Sequence, residues 1–162
     1  MKARRAAKPV AAIHRVTGSQ FGDPIVRGGL HIRGSDAHPE VRHAVIRFAR
    51  WLRAKFPFPI RVPVYLFPTE QIMTGKRELV SASFFAPFDR SVEPYIRVST
   101  GDYTLLRQKN GRDNALASIL CSVAHEVVHY QQWSQGRELC EREALRRASA
   151  IVRSYWKTVL HP

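Results

Sequence analysis

One helical segment constrains this chain of 162 residues more than any other feature of the sequence. Its apolar residues recur at intervals of three and four, as an α-helix with one buried face requires: Leu116, Ile119, Leu120, Val123 and Val127. Asp113 or Asn114 can cap its start, and Gly136 can end it in a left-handed turn. A helix this apolar must lie against other elements, so the rest of the chain has to fold around it.

Two histidines in this segment, His125 and His129, are four residues apart. Four residues turn a helix through about 400°, so both imidazoles leave the same face, one turn apart. That spacing lets two ring nitrogens reach one metal ion at about 2.0–2.1 Å. Glu126 follows the first histidine directly, where its carboxylate can hydrogen-bond a water in the metal's open position. This arrangement is typical of a zinc hydrolase.

A five-residue motif of this kind also occurs by chance. The residues that flank it therefore provide further evidence for or against a metal site. Apart from Glu126, residues 122–130 contain no Asp, Glu, Lys or Arg. A buried metal helix needs such flanks, because a stray charge beside the site would be costly to desolvate. The alternative is a helix with two partly buried histidines and a surface glutamate, and the uncharged flanks favour the metal site over it.

A catalytic zinc takes three protein ligands, so one ligand has to come from another segment. Residues 137–157 predict a second helix, in which Glu141 and Glu143 compete for this place. Steps of three and four residues from Glu141 reach apolar or aromatic side chains, whereas steps from Glu143 reach mostly polar ones. We therefore predict that Glu141 lies on the buried face and is the ligand, and that Glu143 faces solvent. The alternative for Glu141 is a surface ion pair with Arg137.

These motifs resemble those of the gluzincins, zincin metallopeptidases with His-Glu-x-x-His and a downstream glutamate ligand. Several gluzincins carry that glutamate in Glu-x-x-Ala on the following helix, and residues 141–144 of this chain fit the pattern. The resemblance implies a small zincin-like domain that hydrolyses peptide bonds. It also implies one Zn²⁺ held by His125, His129 and Glu141, and a water activated by Glu126.

The resemblance covers the layout of about residues 40–157. It implies that residues 81–86 form the upper rim of a cleft and bind a peptide substrate by backbone pairing, with residues 95–99 as the neighbouring strand. Many relatives carry Asp or Asn directly after the alanine of Glu-x-x-Ala, where it orients a ligand histidine, but this chain has Leu145. No motif fixes a side chain that stabilises the transition state, and three tyrosines are candidates that also suit packing: Tyr103, Tyr130 and Tyr155.

The remaining pattern predicts an α+β domain over residues 21–162, with a small mixed sheet packed on the metal helix in the order α-β-β-β-α-α. Ser35 or Asp36 can cap a first helix that runs to about Phe56. Residues 60–67 predict a strand in which Pro63 indicates an edge or a bulge, and residues 102–108 predict a short helix. Residues 21–36 are expected to be irregular with one short extended piece, after a disordered basic tail at residues 1–20.

The net positive charge of the chain indicates a second possible function. The chain has 26 Lys and Arg against 13 Asp and Glu, a formal net charge of +13, and such a field attracts polyanions. No nucleic-acid motif accompanies the charge. The alternative function is therefore a non-catalytic protein that associates with nucleic acid through its basic surface and whose metal is structural or absent.

The other histidines and the cysteines carry less information. Five histidines lack metal-ligand spacing and are expected on surfaces or in loops: His14, His31, His38, His43 and His161. Cys121 and Cys140 are expected to be reduced thiols in the core of a cytoplasmic protein, with Cys140 packed between the last two helices. No apolar run approaches the ~20 residues that span a membrane, and the basic N-terminus lacks the apolar stretch of a secretory signal.

Overall fold

The computed structural model describes residues 28–160, and within this range the protein is α+β with four helices and a small mixed sheet. The elements in chain order are β1 (Leu30–Arg33), α1 (Pro39–Lys55), β2 (Val62–Phe67), β3 (Ile72–Met73), β4 (Leu79–Val80), β5 (Ala82–Phe85), β6 (Tyr95–Ser99), α2 (Tyr103–Asn110), α3 (Arg112–Ser134) and α4 (Glu141–Trp156). The expected tail at residues 1–20, together with His14 and His161, lies outside the described residues.

The main sheet has the strand order β1-β2-β6-β5, and β3 pairs with β4 in a separate hairpin. β1, β2 and β6 run parallel, whereas β5 is antiparallel to β6 and forms one edge. The predicted strand pair around residues 81–86 and 95–99 is therefore present as β5 and β6. The sequence pattern did not predict the β3–β4 hairpin, whose strands have two residues each.

The prediction that Pro63 marks an edge strand or a bulge is wrong. β2 lies inside the sheet, because the short extended piece expected before residue 36 is β1 and pairs with it. The Val62 N–H donates to the Gly29 carbonyl on the β1 side, so the nitrogen of Pro63 faces the β6 side. Pairing with β6 starts only at Val64, so the missing N–H costs the sheet no hydrogen bond.

The helix α1 begins two residues later than predicted. Its N-cap is His38, not Ser35 or Asp36, and the His38 side chain accepts a hydrogen bond from the Glu40 N–H at 3.3 Å. Pro39 takes the first helical position, where its fixed φ favours a helix start and its missing N–H is not needed. The predicted end is confirmed, since the helix stops at Lys55 with Phe56 as its C-cap.

α1 and α3 pack on one face of the sheet, α4 packs against α3 and α1, and all of them share one hydrophobic core. Val62, Val64 and Leu66 project from β2 into this core, while the alternate residues Tyr65 and Phe67 are exposed on the opposite face. The core thus lies on the side of the sheet that carries α3, and α3 is buried over most of its length. No helix among the described residues combines the length and apolar character needed to cross a membrane.

The burial predicted for His31, Cys121 and Cys140 differs from that in the structure. His31 is half-buried in β1, because the extended piece that contains it belongs to the sheet. His38 and His43 are exposed, as predicted. Both cysteines are free thiols, but Cys140 is exposed beside the start of α4 and is not packed between helices, and Cys121 is half-buried.

We expect Phe48→Ala to lower the free energy of unfolding by about 3–5 kcal/mol, because it leaves a cavity where α1 meets α4. The Phe48 ring is fully buried, and its centroid lies 4.9 Å from that of Tyr155 and 6.0 Å from that of Trp51. Urea unfolding followed by circular dichroism measures the change. The control is Phe88→Ala, since that ring is fully exposed. Equal losses in the two variants would contradict the described core.

Candidate metal centre

The helix α3 presents the two histidines, and its apolar pattern is confirmed. All five residues of the predicted stripe are buried. Gly136 has a φ of 71°, and it ends the helix in the predicted left-handed turn. The Gly136 N–H donates to the Trp133 carbonyl and the Arg137 N–H donates to the Gln132 carbonyl, which is a Schellman motif. This turn reverses the chain so that α4 can return along α3.

The predicted cap of α3 is wrong. The helix begins at Arg112 with Gly111 as its N-cap, and neither Asp113 nor Asn114 caps it. Gly111 has a φ of 83°, a conformation that suits glycine. The Asn114 amide instead donates to the Asn110 carbonyl at 2.9 Å, at the end of α2. The glycine turn between α2 and α3 therefore sets the start of α3.

Three side chains converge where the last turns of α3 meet the first turn of α4. The Nε2 atoms of His125 and His129 lie 3.1 Å apart. One carboxylate oxygen of Glu141 lies 3.0 Å from His125 Nε2, and the other lies 3.0 Å from His129 Nε2. Among residues 28–160, these three form the cluster of His, Cys, Asp and Glu side chains that could hold a metal ion.

The exposure predicted for the two glutamates is wrong, although Glu141 is the one that reaches the histidines. The Glu141 side chain is 75% exposed, whereas that of Glu143 is 18% exposed. α4 begins at Glu141, not at residue 137, so the apolar stripe starts three residues further on at Ala144. Glu141 therefore lies at the open end of the helix, where its negative charge also suits the positive end of the helix dipole.

Glu143 is held by arginines on both sides. Its carboxylate accepts hydrogen bonds from Arg137 at 2.5 Å and from Arg147 at 3.2 Å. Arg137, which was the alternative partner for Glu141, thus pairs with Glu143 instead. The hydrogen bonds from Arg137 and Arg147 hold the pKa of Glu143 at about 2. Glu143 is therefore a structural ion-pair residue in this fold.

Glu126 is buried between the histidine cluster and the edge strand β5. The residue is only 6% exposed, and the backbone N–H of Phe84 favours its charged form. Burial, and then the negative charge of Glu141, raise the pKa of Glu126 to about 8. Burial and the neighbouring His129 also lower the pKa of His125, while Glu141 opposes that change. A divalent cation at the cluster would favour the charged carboxylates and neutral imidazoles.

The sequence motifs do not indicate a partner for His129, but the structure supplies one. The side-chain oxygen of Gln132 lies 3.0 Å from His129 Nδ1, the ring nitrogen that does not face the cluster. Gln132 is three residues further along α3 and is fully buried. A polar residue at i+3 from a candidate ligand, inside an otherwise apolar helix, is the signal that could have identified it.

The three tyrosine candidates for transition-state stabilisation are engaged in packing. The Tyr130 hydroxyl donates to the Ile60 carbonyl and accepts from the Ile60 N–H. Tyr155 packs on Phe48 and Trp51 near the far end of α4. The Tyr103 hydroxyl donates to the carboxylate of Glu40 on α1. None of these contacts directs a hydroxyl to the histidine cluster.

Comparisons of this chain with protein-family models, with curated proteins and with solved structures find no match.

We expect Glu141→Gln to bind Zn²⁺ far more weakly than wild type, and Glu143→Gln to bind it with little change. Loss of a ligand should weaken binding by more than the ~10–100-fold that loss of an outer hydrogen-bond partner costs. Competition with a chelating indicator measures both affinities. The opposite order of effects, with Glu143→Gln the weaker binder, would contradict the assignment of Glu141.

Proposed function

We propose that this protein is a zinc-dependent metallopeptidase in which His125, His129 and Glu141 bind the ion and Glu126 acts as general base. The observation that carries the proposal is the convergence of two Nε2 atoms and one carboxylate within 3.0–3.1 Å of one another. The same residues carry the resemblance of the sequence to gluzincins. Two independent segments of the chain thus meet at the place that the two motifs require.

The donor set suits zinc. Ligands held at about 2.0–2.1 Å from one ion in tetrahedral geometry lie roughly 3.3 Å apart, close to the separations in this cluster. Two imidazoles and one carboxylate are a common ligand set of catalytic zinc, and they leave one position for water. The carboxylate of Glu141 faces both imidazoles although most of its side chain is exposed to solvent. An ion that all three share provides a reason for this orientation.

The chemistry that zinc supplies when bound is Lewis acidity, which polarises a carbonyl and makes water a nucleophile near neutral pH. The chain supplies the rest. Glu126 is buried on α3 between the two histidines in sequence, so packing restricts the position of its carboxylate. From there it accepts a proton from the attacking water and passes it to the leaving amine. Its burial keeps competing solvent away from the proton it carries.

The edge strand β5 provides a place for the substrate backbone. Among residues 28–160, β5 pairs with β6 and with no strand on its other side, so that side can pair with an extended peptide. The backbone N–H of Phe84, in β5, lowers the pKa of Glu126, so this edge lies close to the proposed base. A peptide added to β5 would therefore pass the cluster with its carbonyl groups alongside Glu126. This is the role that the sequence resemblance assigns to residues 81–86.

We expect Glu126→Gln to retain Zn²⁺ but to lose peptide hydrolysis by about 10²–10⁴-fold or more, because the amide cannot accept the proton. Zinc-loaded protein is incubated with a peptide library, and the products are read by mass spectrometry. The control is Glu138→Gln, since Glu138 is an exposed glutamate three residues before Glu141 in the chain. Full activity of Glu126→Gln, or no cleavage by zinc-loaded wild type, would refute the proposal.

A second candidate function, binding of single-stranded nucleic acid, is favoured by the outer face of the main sheet. On this face the register places Arg33, Tyr65 and Arg97 in one row across β1, β2 and β6. In the adjacent row the rings of Phe85 and Tyr95 stack with centroids 4.8 Å apart. Aromatic rings stack on bases and arginines bind phosphates, and the net charge of +13 favours a polyanion.

We expect a fluorescent oligothymidylate to bind the protein with an affinity that falls as salt rises from about 50 mM to about 200 mM. Tyr65→Ala should remove about 1–3 kcal/mol of that binding, because one stacking platform is lost. Fluorescence anisotropy measures both effects. Leu105→Ala, an exposed change on α2, is the control and should bind as wild type does. Wild-type affinity in Tyr65→Ala would exclude this face as the binding surface.

A further inference from the structure

Gln132 connects the two segments that supply the candidate ligands. It is fully buried on α3, and its side-chain oxygen Oε1 lies 3.0 Å from His129 Nδ1 and 3.1 Å from the Cys140 nitrogen. Its side-chain nitrogen Nε2 lies 3.3 Å from the Cys140 carbonyl oxygen. One glutamine therefore contacts a candidate ligand on α3 and the backbone residue directly before Glu141.

These contacts determine the orientation of the Gln132 amide. A backbone N–H can only donate, so the Cys140 N–H requires an oxygen at the nearby side-chain position. The Cys140 carbonyl can only accept, so it requires the side-chain nitrogen on the other side. Cys140 therefore fixes which end of the amide faces His129.

The orientation of the amide then determines the tautomer of His129. Because Oε1 can only accept, the nearby Nδ1 of His129 carries the proton and donates it. In a neutral imidazole the other nitrogen, Nε2, then has a free lone pair. This is the nitrogen that lies 3.1 Å from His125 Nε2 and 3.0 Å from the Glu141 carboxylate. The lone pair of His129 thus points into the cluster.

The same glutamine also holds the start of α4. Cys140 is the N-cap residue of this helix and has no side-chain cap, while Gln132 satisfies both its N–H and its carbonyl. Removing these hydrogen bonds would free the turn that places Glu141 beside the histidines.

We propose that Gln132 is the positioning residue of the metal centre, which keeps His129 Nε2 available to the ion and keeps Glu141 within reach of it. The inference rests on the proposed zinc function. In many gluzincins an Asp or Asn orients a ligand histidine, and Leu145 stands at that position in this chain, so Gln132 would take over this role. Leu145 is 63% exposed and has no polar side-chain atom.

The neighbouring Gln131 provides a matched control. It is also a buried glutamine on α3, and it also contacts α4, since its side-chain oxygen accepts from Arg147 at 2.5 Å. Its hydrogen bond in the structure goes to Arg147, not to His129 or Cys140. A loss of general α3–α4 packing would therefore affect both glutamines, whereas a positioning role belongs to Gln132 alone.

The experiment compares Gln132→Met with Gln131→Met, since methionine keeps the length of the side chain and removes its hydrogen bonds. We expect Gln132→Met to bind Zn²⁺ about 10–100-fold more weakly than wild type, and Gln131→Met to remain near wild type. Competition with a chelating indicator gives the affinities. The visible absorption of the Co²⁺-substituted proteins reports the ligand geometry, and it should change only in Gln132→Met.

The outcomes separate this inference from the proposed function. If wild type binds no Zn²⁺, the zinc proposal fails and the inference fails with it. If wild type binds Zn²⁺ and Gln132→Met binds it equally well, only the positioning role of Gln132 fails. Should Gln132→Met not fold, nitrogen-15 spectroscopy of wild-type histidines provides the test. The proposal requires Nε2 of His129 to bind the metal and Nδ1 to carry a proton in the zinc-loaded protein, and metal bound at Nδ1 would overturn it.

Discussion

The close packing of α4 against α3 is the contact on which the candidate centre depends. Ala144 and Ala148 are almost completely buried in this interface, and their small side chains let the two helix backbones approach. The left-handed turn at Gly136 sends the chain back within a few residues, so that α4 starts beside the last turns of α3. Glu141 reaches His125 and His129 because this turn and these alanines place the first residue of α4 there.

The residues that form the candidate site were predictable because they lie in short motifs with fixed spacing. Two histidines one turn apart share a helix face whatever the fold, and the apolar stripe of α3 identified the buried side of that helix. Glu141 was predicted for a reason that the structure does not support, since it is exposed and not part of the buried stripe. The helix α4 begins at Glu141, four residues later than predicted, because periodicity alone locates helix ends poorly.

The fold was predictable at the level of α+β with strands before two C-terminal helices. The interior position of β2 was not, because it depends on β1, which pairs with it in parallel from more than 25 residues upstream. β1 has only four residues, and their exposure does not alternate regularly. Its pairing with β2 therefore cannot be recognised from the local sequence. Gln132 was missed for a related reason. Its partners are His129 and the Cys140 backbone, and a residue pattern does not show that a turn brings Cys140 back to α3.

Glu141 is much more exposed to solvent than the two histidines with which it forms the candidate centre. Two donors come from a rigid, buried helix, while the third comes from the outermost residue of another helix and remains in contact with water. The Glu141 carboxylate can turn away from the histidines by a rotation of its own side chain, without any movement of the core. An ion bound here would therefore exchange without unfolding of the chain.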